Sequence, residues 1–283
     1  MAQIHWFPGH MNKALKEVEE RIKLVDVIIE LLDARIPLSS MNEQLDEISK
    51  NKKKIIVLTK IDLADPSITQ EWKKYYEDRY AKVLTLNINS QGSQKIIAQA
   101  VKQVGKEKQD RDVARGMKPQ PIKAMILGIP NVGKSSLINR LAGRHASGVQ
   151  NKPGYTRGEQ FVKVDKDFIL LDTPGILPMN YENKKKALNL ALIGSIREEI
   201  LPNSDLVMSL LDFLKEHYPH SLQERFNIDE ITDFEDVLTK IAQARQLVNS
   251  KGEKDLTRAE YLLLKEFKDG KLGTISLESP SWN

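Results

Sequence analysis

Gly128-Ile129-Pro130-Asn131-Val132-Gly133-Lys134-Ser135 stands between an apolar run, Lys123 to Leu127, and a segment of helical character, Lys134 to Leu141. A G-x-x-x-x-G-K-S pattern between a strand and a helix is that of a phosphate-binding loop. The glycines let the backbone turn its N–H groups toward phosphate oxygens, and the helix N-terminus adds its positive end. In such a loop Gly128, Val132, Gly133, Ser135 and Ser136 surround the anion. Lys134 reaches the β- and γ-phosphates, and the Ser135 hydroxyl meets Mg²⁺. Short apolar runs alternate with helical segments around it, which predicts an α/β fold with a parallel, doubly wound sheet.

Downstream, Asp172-Thr173-Pro174-Gly175 follows the apolar run Phe168 to Leu171 and begins 37 residues after Ser135. At that distance Asp172 is expected to hold Mg²⁺ through water and the Gly175 N–H to meet the γ-phosphate. Thr156, in Pro153-Gly154-Tyr155-Thr156, lies between the two. Its hydroxyl is placed to close on Mg²⁺ only while the γ-phosphate is present.

Upstream, Thr59-Lys60-Ile61-Asp62 follows the β-branched run Lys54 to Leu58 and resembles the guanine-reading N-K-x-D motif. A carboxylate at Asp62 accepts two hydrogen bonds, from guanine N1–H and the exocyclic amine. Adenine has no donor at N1 and leaves Asp62 unpaired, which argues against an ATP-using phosphotransferase. The Lys60 stem can cover the base face. Thr59 stands where asparagine is usual, so one supporting hydrogen bond changes. Asn89-Ser90-Gln91, after Val83 to Ile88, sits where a second base-contacting loop is expected; a plain turn is the other reading.

The order of these motifs carries further information. Ordinary GTPases begin with the phosphate loop and end with the guanine motifs. Here Asp62 and Ser90 precede Gly128, Thr156 and Asp172, a consistent rotation that predicts a circularly permuted GTPase domain. Residues of about 105–121, charged and ending in Pro119 and Pro121, read as the new connection, partly helical. Helices are expected at Asn12–Lys23, Trp72–Tyr80 and Gln94–Val104, and a hairpin at Phe161–Val164 and Phe168–Leu171. Beyond about residue 180 the strand patterns fade, and Leu188–Leu201, Leu206–Lys215, Phe234–Asn249 and Thr257–Phe267 read as helices. The expected domains are therefore 1–178, the GTPase domain, and 179–283, a smaller all-α domain. Because the chain passes from Gly175 straight into those helices, movement of 150–180 with the γ-phosphate is expected to pull on them.

Composition sets limits around this reading. The 283 residues are 40% apolar and 29% charged, enough for a packed core. Cysteine is absent, which removes disulfides, zinc–thiolate sites and thiol nucleophiles. No run reaches the ~18 apolar residues of a membrane span. The opening Met-Ala-Gln-Ile-His lacks the features of a signal peptide, so a cytoplasmic location is expected. Residues 1–178 carry 29 Lys+Arg against 21 Asp+Glu, a net of +8. Residues 179–283 carry 14 against 18, a net of −4, which leaves the +4 of the whole chain. A basic first part suits a polyanion such as nucleic acid; a solvated lysine-rich surface is the plainer alternative.

The segments Trp6-Phe7-Pro8-Gly9-His10-Met11, Asp33-Ala34-Arg35-Ile36-Pro37, Thr59–Asp62, Gly128–Ser136, Pro153–Thr156 and Asp172–Leu177 together closely resemble the YlqF/RbgA group of bacterial circularly permuted GTPases. The resemblance covers essentially the whole chain. It implies GTP and GDP as ligands, Mg²⁺ as cofactor, and a role in assembly of the large ribosomal subunit, with rRNA and ribosomal proteins as partners. DNA is not an expected partner, and the chain is expected to be a monomer. The group's helical domain contacts rRNA; here that part is net negative, so such contact requires a local basic face.

Hydrolysis needs its own account. The residue after D-x-x-G is Ile176, where many GTPases have a water-orienting glutamine, so slow intrinsic turnover is expected. The resemblance supplies two substitutes. Asn131 matches an asparagine that helps bind K⁺ beside the phosphates; an ordinary turn residue is the alternative. His10 matches the group's proposed catalytic histidine, able to position water once the ribosome orders the N-terminal arm; an arm docked by Trp6, Phe7 and the Pro8-Gly9 turn is the structural alternative. Arg35 reads as a phosphate or RNA contact or as half of a salt bridge. Two functions follow: an assembly GTPase stimulated by the subunit, or a GTP-dependent RNA-binding scaffold whose hydrolysis is incidental.

Overall fold

Three runs are apolar on both faces, and both faces are covered. They are β1 (Val27–Asp33), β2 (Lys53–Thr59) and β4 (Ile122–Gly128), and nearly all their residues are buried. Strands of this kind belong in the middle of a parallel sheet. The computed structural model describes residues 8–143, 161–164, 166–171, 184–196 and 201–282, and of 8–14, 161 and 162 the backbone alone. With β3 (Lys82–Thr85), β5 (Phe161–Lys163) and β6 (Phe168–Leu171), the sheet has the order β3-β2-β1-β4-β6-β5. All pairings are parallel except the β5–β6 hairpin.

The chain builds the sheet outward from β1 to the edge strand β3, then returns to place β4 on the other side of β1. That reversal makes a crevice beyond the carboxyl ends of β1 and β4, the usual place for a ligand in such sheets. The strand with the phosphate loop thus comes fourth in the chain and the one with Thr59–Asp62 comes second, so the GTPase fold is circularly permuted.

Alternation assigns the layers. Val27, Ile29 and Leu31 face one side, with Ile55 and Val57 of β2. There they meet α5 (Ser93–Ala114) through Ile97 and Val101, and α6 (Lys134–Ala142) through Leu137 and Leu141. Ile28 faces the other side, under Val18 and Ile22 of α1 (Pro8–Ile22) and Leu45 of α3 (Glu43–Ile48). Leu32, Ile56 and Leu58 share that side with Ile68, Trp72 and Tyr76 of α4 (Pro66–Glu77). A short helix, α2 (Pro37–Ser40), follows β1.

The remaining described chain carries the helices α7 (Lys184–Leu192), α8 (Asn203–His217), α9 (Gln223–Phe226), α10 (Phe234–Ala244) and α11 (Leu256–Lys268). Their apolar faces continue the cluster that begins on the sheet. No described helix is long and apolar enough to cross a membrane.

Several boundaries differ from the sequence reading, each for a local reason. Helix α4 starts at Pro66 rather than Trp72, because the Asp65 side chain caps it by accepting from the N–H groups of Ser67 and Ile68 and Pro66 fits its first turn. Helix α5 runs past Val104 to Ala114 and so takes in the helical part expected of the connection, leaving 115–121 outside it; Gly105 within it packs on Ile122. The helix expected at Leu188–Leu201 ends at Leu192. Gly194, with φ +75°, turns the chain there, and Ser195 N–H bonds back to Leu190 O at 2.8 Å. Helix α10 stops at Ala244, where Gln246 at φ +55° lets Leu247 N–H return to Ala242 O. Helix α1 begins at Pro8, four residues before the expected start, so His10 lies in its first turn.

One buried ion pair interrupts the apolar face under α3 and α4. Glu30 and Lys54 are both almost fully buried, 3.2 Å apart, and Lys54 also pairs with Asp46. Burial pushes the Glu30 carboxyl up, against the pull of Lys54. Removing one partner strands the other charge. Lys54→Met is therefore expected to lower the unfolding free energy by about 3–5 kcal/mol in urea titration at neutral pH. Adding Glu30→Gln should restore part of it, and a double variant no more stable than Lys54→Met would contradict this.

Candidate nucleotide site

Parallel strands deliver their following loops to one edge, and the site residues lie there. Leu31 pairs with Gly128 across β1 and β4, and Asp33 pairs with Thr59 across β1 and β2. Loops 129–133, 60–65 and 86–92 therefore leave the sheet side by side. The phosphate loop takes the path its sequence requires. Asn131 has φ +61° and Gly133 φ +109°, the latter a conformation costly to any residue with a side chain. A Cβ on Gly133 would also lie 2.7 Å from the Ile88 side chain, so this loop and loop 86–92 are in contact at this point. Helix α6 starts immediately after, with Ser135 and Ser136 exposed in its first turn.

Thr59 joins the guanine motif to the phosphate loop. It is fully buried, and its hydroxyl lies 3.1 Å from Leu32 O and 3.0 Å from Val132 O. One hydroxyl proton is thus set between the end of β1 and the phosphate loop. Asp62 is exposed in the turn that follows, closed by Leu63 N–H to Lys60 O at 2.9 Å. Asn89 and Ser90 are exposed on a turn held by Asn87, whose side chain accepts from Asn89 N–H at 2.8 Å. The Arg140 guanidinium of α6 donates to both Asn89 O and Ser90 O, tying this turn to the helix behind the phosphate loop.

Asp33 is a part of this edge that sequence reading did not single out. It is fully buried at the end of β1. Arg35 grips it with two bonds, Nε at 3.0 Å and Nη2 at 2.9 Å, and Lys60 Nζ stands 3.1 Å away. Arg35 is therefore half of a buried salt bridge, and Lys60, in a left-handed turn at φ +53°, is held over the end of β1. Burial opposes ionisation of Asp33, yet Arg35 and then Lys60 outweigh it and hold the carboxyl at about 2. The available signal was an acid closing an apolar strand in the same layer as Thr59.

The phosphate loop also touches the C-terminal helices. Asn131 Nδ2 donates to Gly194 O at 2.7 Å, and Ser195 Oγ donates to Pro130 O at 3.0 Å. The turn ending α7 is thus bonded directly to the loop. Thr156, Asp172, Gly175 and Ile176 lie outside the described residues, as does the side chain of His10. The structure thus brings together Thr59, Lys60, Asp62, Asn89, Ser90 and the loop Gly128–Ser136.

A carboxyl with a lower pKa in the folded than in the unfolded chain adds stability above about pH 4 that fades as pH falls toward 2. Asp33→Asn should accordingly cost roughly 2 kcal/mol or more at pH 7, since Arg35 also loses its buried partner. Urea unfolding between pH 7 and pH 2 should show the wild-type and variant curves converging on the acid side. Parallel curves would contradict the assignment.

Comparison with known proteins agrees with this geometry. Residues 123–250 match a family model described as 50S ribosome-binding GTPase. The match starts in β4 and leaves out Thr59–Asp62, which lie upstream. Ribosome biogenesis GTPase A of Bacillus cereus is 42% identical over 278 residues, covering 98% of this chain and 94% of that protein. Its namesake from Thermotoga maritima is 31% identical over 275 residues, covering 97% and 94%. A solved structure of GNP-bound YlqF from T. maritima superposes with a TM-score of 0.69 at 25% identity, covering 95% of this chain and 98% of that one. With a permuted phosphate-loop fold and relatives of this identity along nearly its whole length, the chain belongs to the ribosome biogenesis GTPase A family.

Proposed function

We propose that this GTPase binds the large ribosomal subunit, acts late in its assembly, and hydrolyses GTP to GDP when the subunit stimulates it. The observation that carries the nucleotide part is the Thr59 hydroxyl set on Val132 O. It fixes the guanine-reading turn and the phosphate loop at one spacing, as a single ligand with a base at one end and phosphates at the other requires. The ribosomal part rests on the relatives' names. The reading takes residues 1–178 as the GTPase domain and 179–283 as the helical domain, in a cytoplasmic monomer whose partners are rRNA and ribosomal proteins.

Each residue has a part in the chemistry. Asp62 accepts from guanine, Lys60 covers the base, and Asn89 and Ser90 border it. The loop Gly128 to Ser136 surrounds the phosphates with the backbone N–H groups that follow Pro130, and Lys134 neutralises charge on the β- and γ-oxygens. The exposed Ser135 hydroxyl at the start of α6 fits a Mg²⁺ ligand, with Thr156 and Asp172 as the further ones. Bound Mg²⁺ would supply charge neutralisation across the β- and γ-phosphates. Asn131 fits a K⁺ ligand as well, because its amide nitrogen is occupied by Gly194 O and its carbonyl oxygen is the atom left to meet a cation. His10 would orient water from the first turn of α1 once the subunit positions that arm.

The test is GTP turnover in KCl and in NaCl, with and without purified large subunits. Turnover should rise with the subunit, and more in KCl. His10→Ala should cut the stimulated rate on the order of 10²-fold. Intact GTP binding with no stimulation would contradict this reading and favour the GTP-dependent RNA-binding scaffold.

A further inference from the structure

The guanine-reading turn is braced from outside the sheet by the far end of the chain. After α11 the chain reverses at Gly270 and runs back over the loops that follow β1 and β2. Ile275 N–H donates to Leu63 O at 3.0 Å, and Asp65 N–H donates to Ser276 Oγ at 3.1 Å. Leu277 N–H donates to Arg35 O at 2.8 Å. The stretch Ile275–Ser279 is buried throughout. Its end is anchored by the Glu278 carboxylate, which accepts from Leu38 N–H at 2.8 Å, from Ser39 N–H at 3.1 Å and from Asn189 Nδ2 at 2.9 Å. Trp72 Nε1 donates to Glu278 O at 2.9 Å.

Tyr218 also joins this strap to the helical part. The Tyr218 hydroxyl, just beyond α8, accepts from Ser276 N–H at 3.2 Å and lies 3.5 Å from Asp65 Oδ2. Gly270 leaves no room for a side chain, since a Cβ there would lie 2.6 Å from Leu63 Cδ2. Asp62 itself stays exposed. The bonds land on the residues just after it, Leu63 and Asp65, whose backbone sets the direction of its carboxylate.

We propose that the strap Ile275–Ser279 is a positioning element of the guanine site, which sets the chain's preference for guanine over bases lacking the exocyclic amine. This rests on the reading of Asp62 as the guanine acceptor. Two parallel hydrogen bonds from N1–H and the amine tolerate little tilt of the carboxylate. Slackening the turn weakens the paired contact more than a single one. Hypoxanthine keeps N1–H and lacks the amine, so inosine diphosphate reports the single contact and GDP the pair.

Ser276→Ala removes the acceptor of Asp65 N–H, and Tyr218→Phe removes the acceptor of Ser276 N–H. Affinities for GDP and inosine diphosphate are measured on the full chain by displacement of a fluorescent GDP analogue, at fixed Mg²⁺ and K⁺. The wild type should prefer GDP. In Ser276→Ala that preference should fall roughly three- to tenfold, as loss of one hydrogen bond implies. A merely structural role would weaken both ligands alike and leave the ratio unchanged, which would overturn the proposal. If Ser276→Ala does not fold, the same ratio in Tyr218→Phe decides. A wild-type chain that does not bind GDP overturns the guanine reading and the strap's role with it. A wild type that prefers GDP, with variants that keep the preference, overturns the strap's role alone.

Discussion

The pairing of β1 with β4, from Val27 opposite Ala124 to Leu31 opposite Gly128, is the contact on which the site depends. It brings together two halves of the chain that meet nowhere in sequence. Thr59 and Val132 are 73 residues apart, yet one hydroxyl reaches from the first to the carbonyl of the second. Parallel pairing places every strand's carboxyl end on one edge, so once β1 lies between β2 and β4 the base loop and the phosphate loop must be neighbours. Chain order does not enter into that condition, which is why a permuted sequence builds the same crevice.

Around the crevice the fold uses buried polar side chains for alignment. Asp33 takes Arg35 and Lys60, and Glu278 takes backbone N–H groups at 38 and 39 together with Asn189. Such groups are costly to bury and contribute little net stability unless fully partnered. What they provide is direction. The first holds the end of β1 against the turn 60–65; the second holds the strap across the same turn. The phosphate loop is bonded in turn to the end of α7 through Asn131 and Ser195. The helical part of the molecule therefore touches both loops, 60–65 through the strap and 129–133 through that turn.

The sheet was legible because both kinds of signal agreed: apolar runs of strand length, and turn-forming motifs at their ends. That Gly128–Ser135 and Thr59–Asp62 lie at the carboxyl ends of strands was legible because each pattern has particular residues at fixed spacing after an apolar run. The strap was not. Ile275 to Ser279 has no periodicity and no motif, and its value lies in partners such as Leu63 and Arg35 more than two hundred positions away in the sequence. Asp33 belongs to no motif, and its pairing with Lys60 exists only once β1 and β2 lie side by side. Helix ends failed where capping decided them: Asp65 moved α4 forward, and Gly194 stopped α7 early.

The most direct test of the account exchanges the base that Asp62 reads. Xanthine carries a carbonyl where guanine carries the exocyclic amine, so it needs a donor in place of an acceptor. The affinities of wild type and Asp62→Asn for GDP and xanthosine diphosphate should cross: the variant should lose GDP and gain xanthosine diphosphate, each by roughly tenfold or more. A variant that binds GDP as tightly as the wild type would contradict the assignment of Thr59–Asp62 as the guanine site, and with it the permuted arrangement of the site.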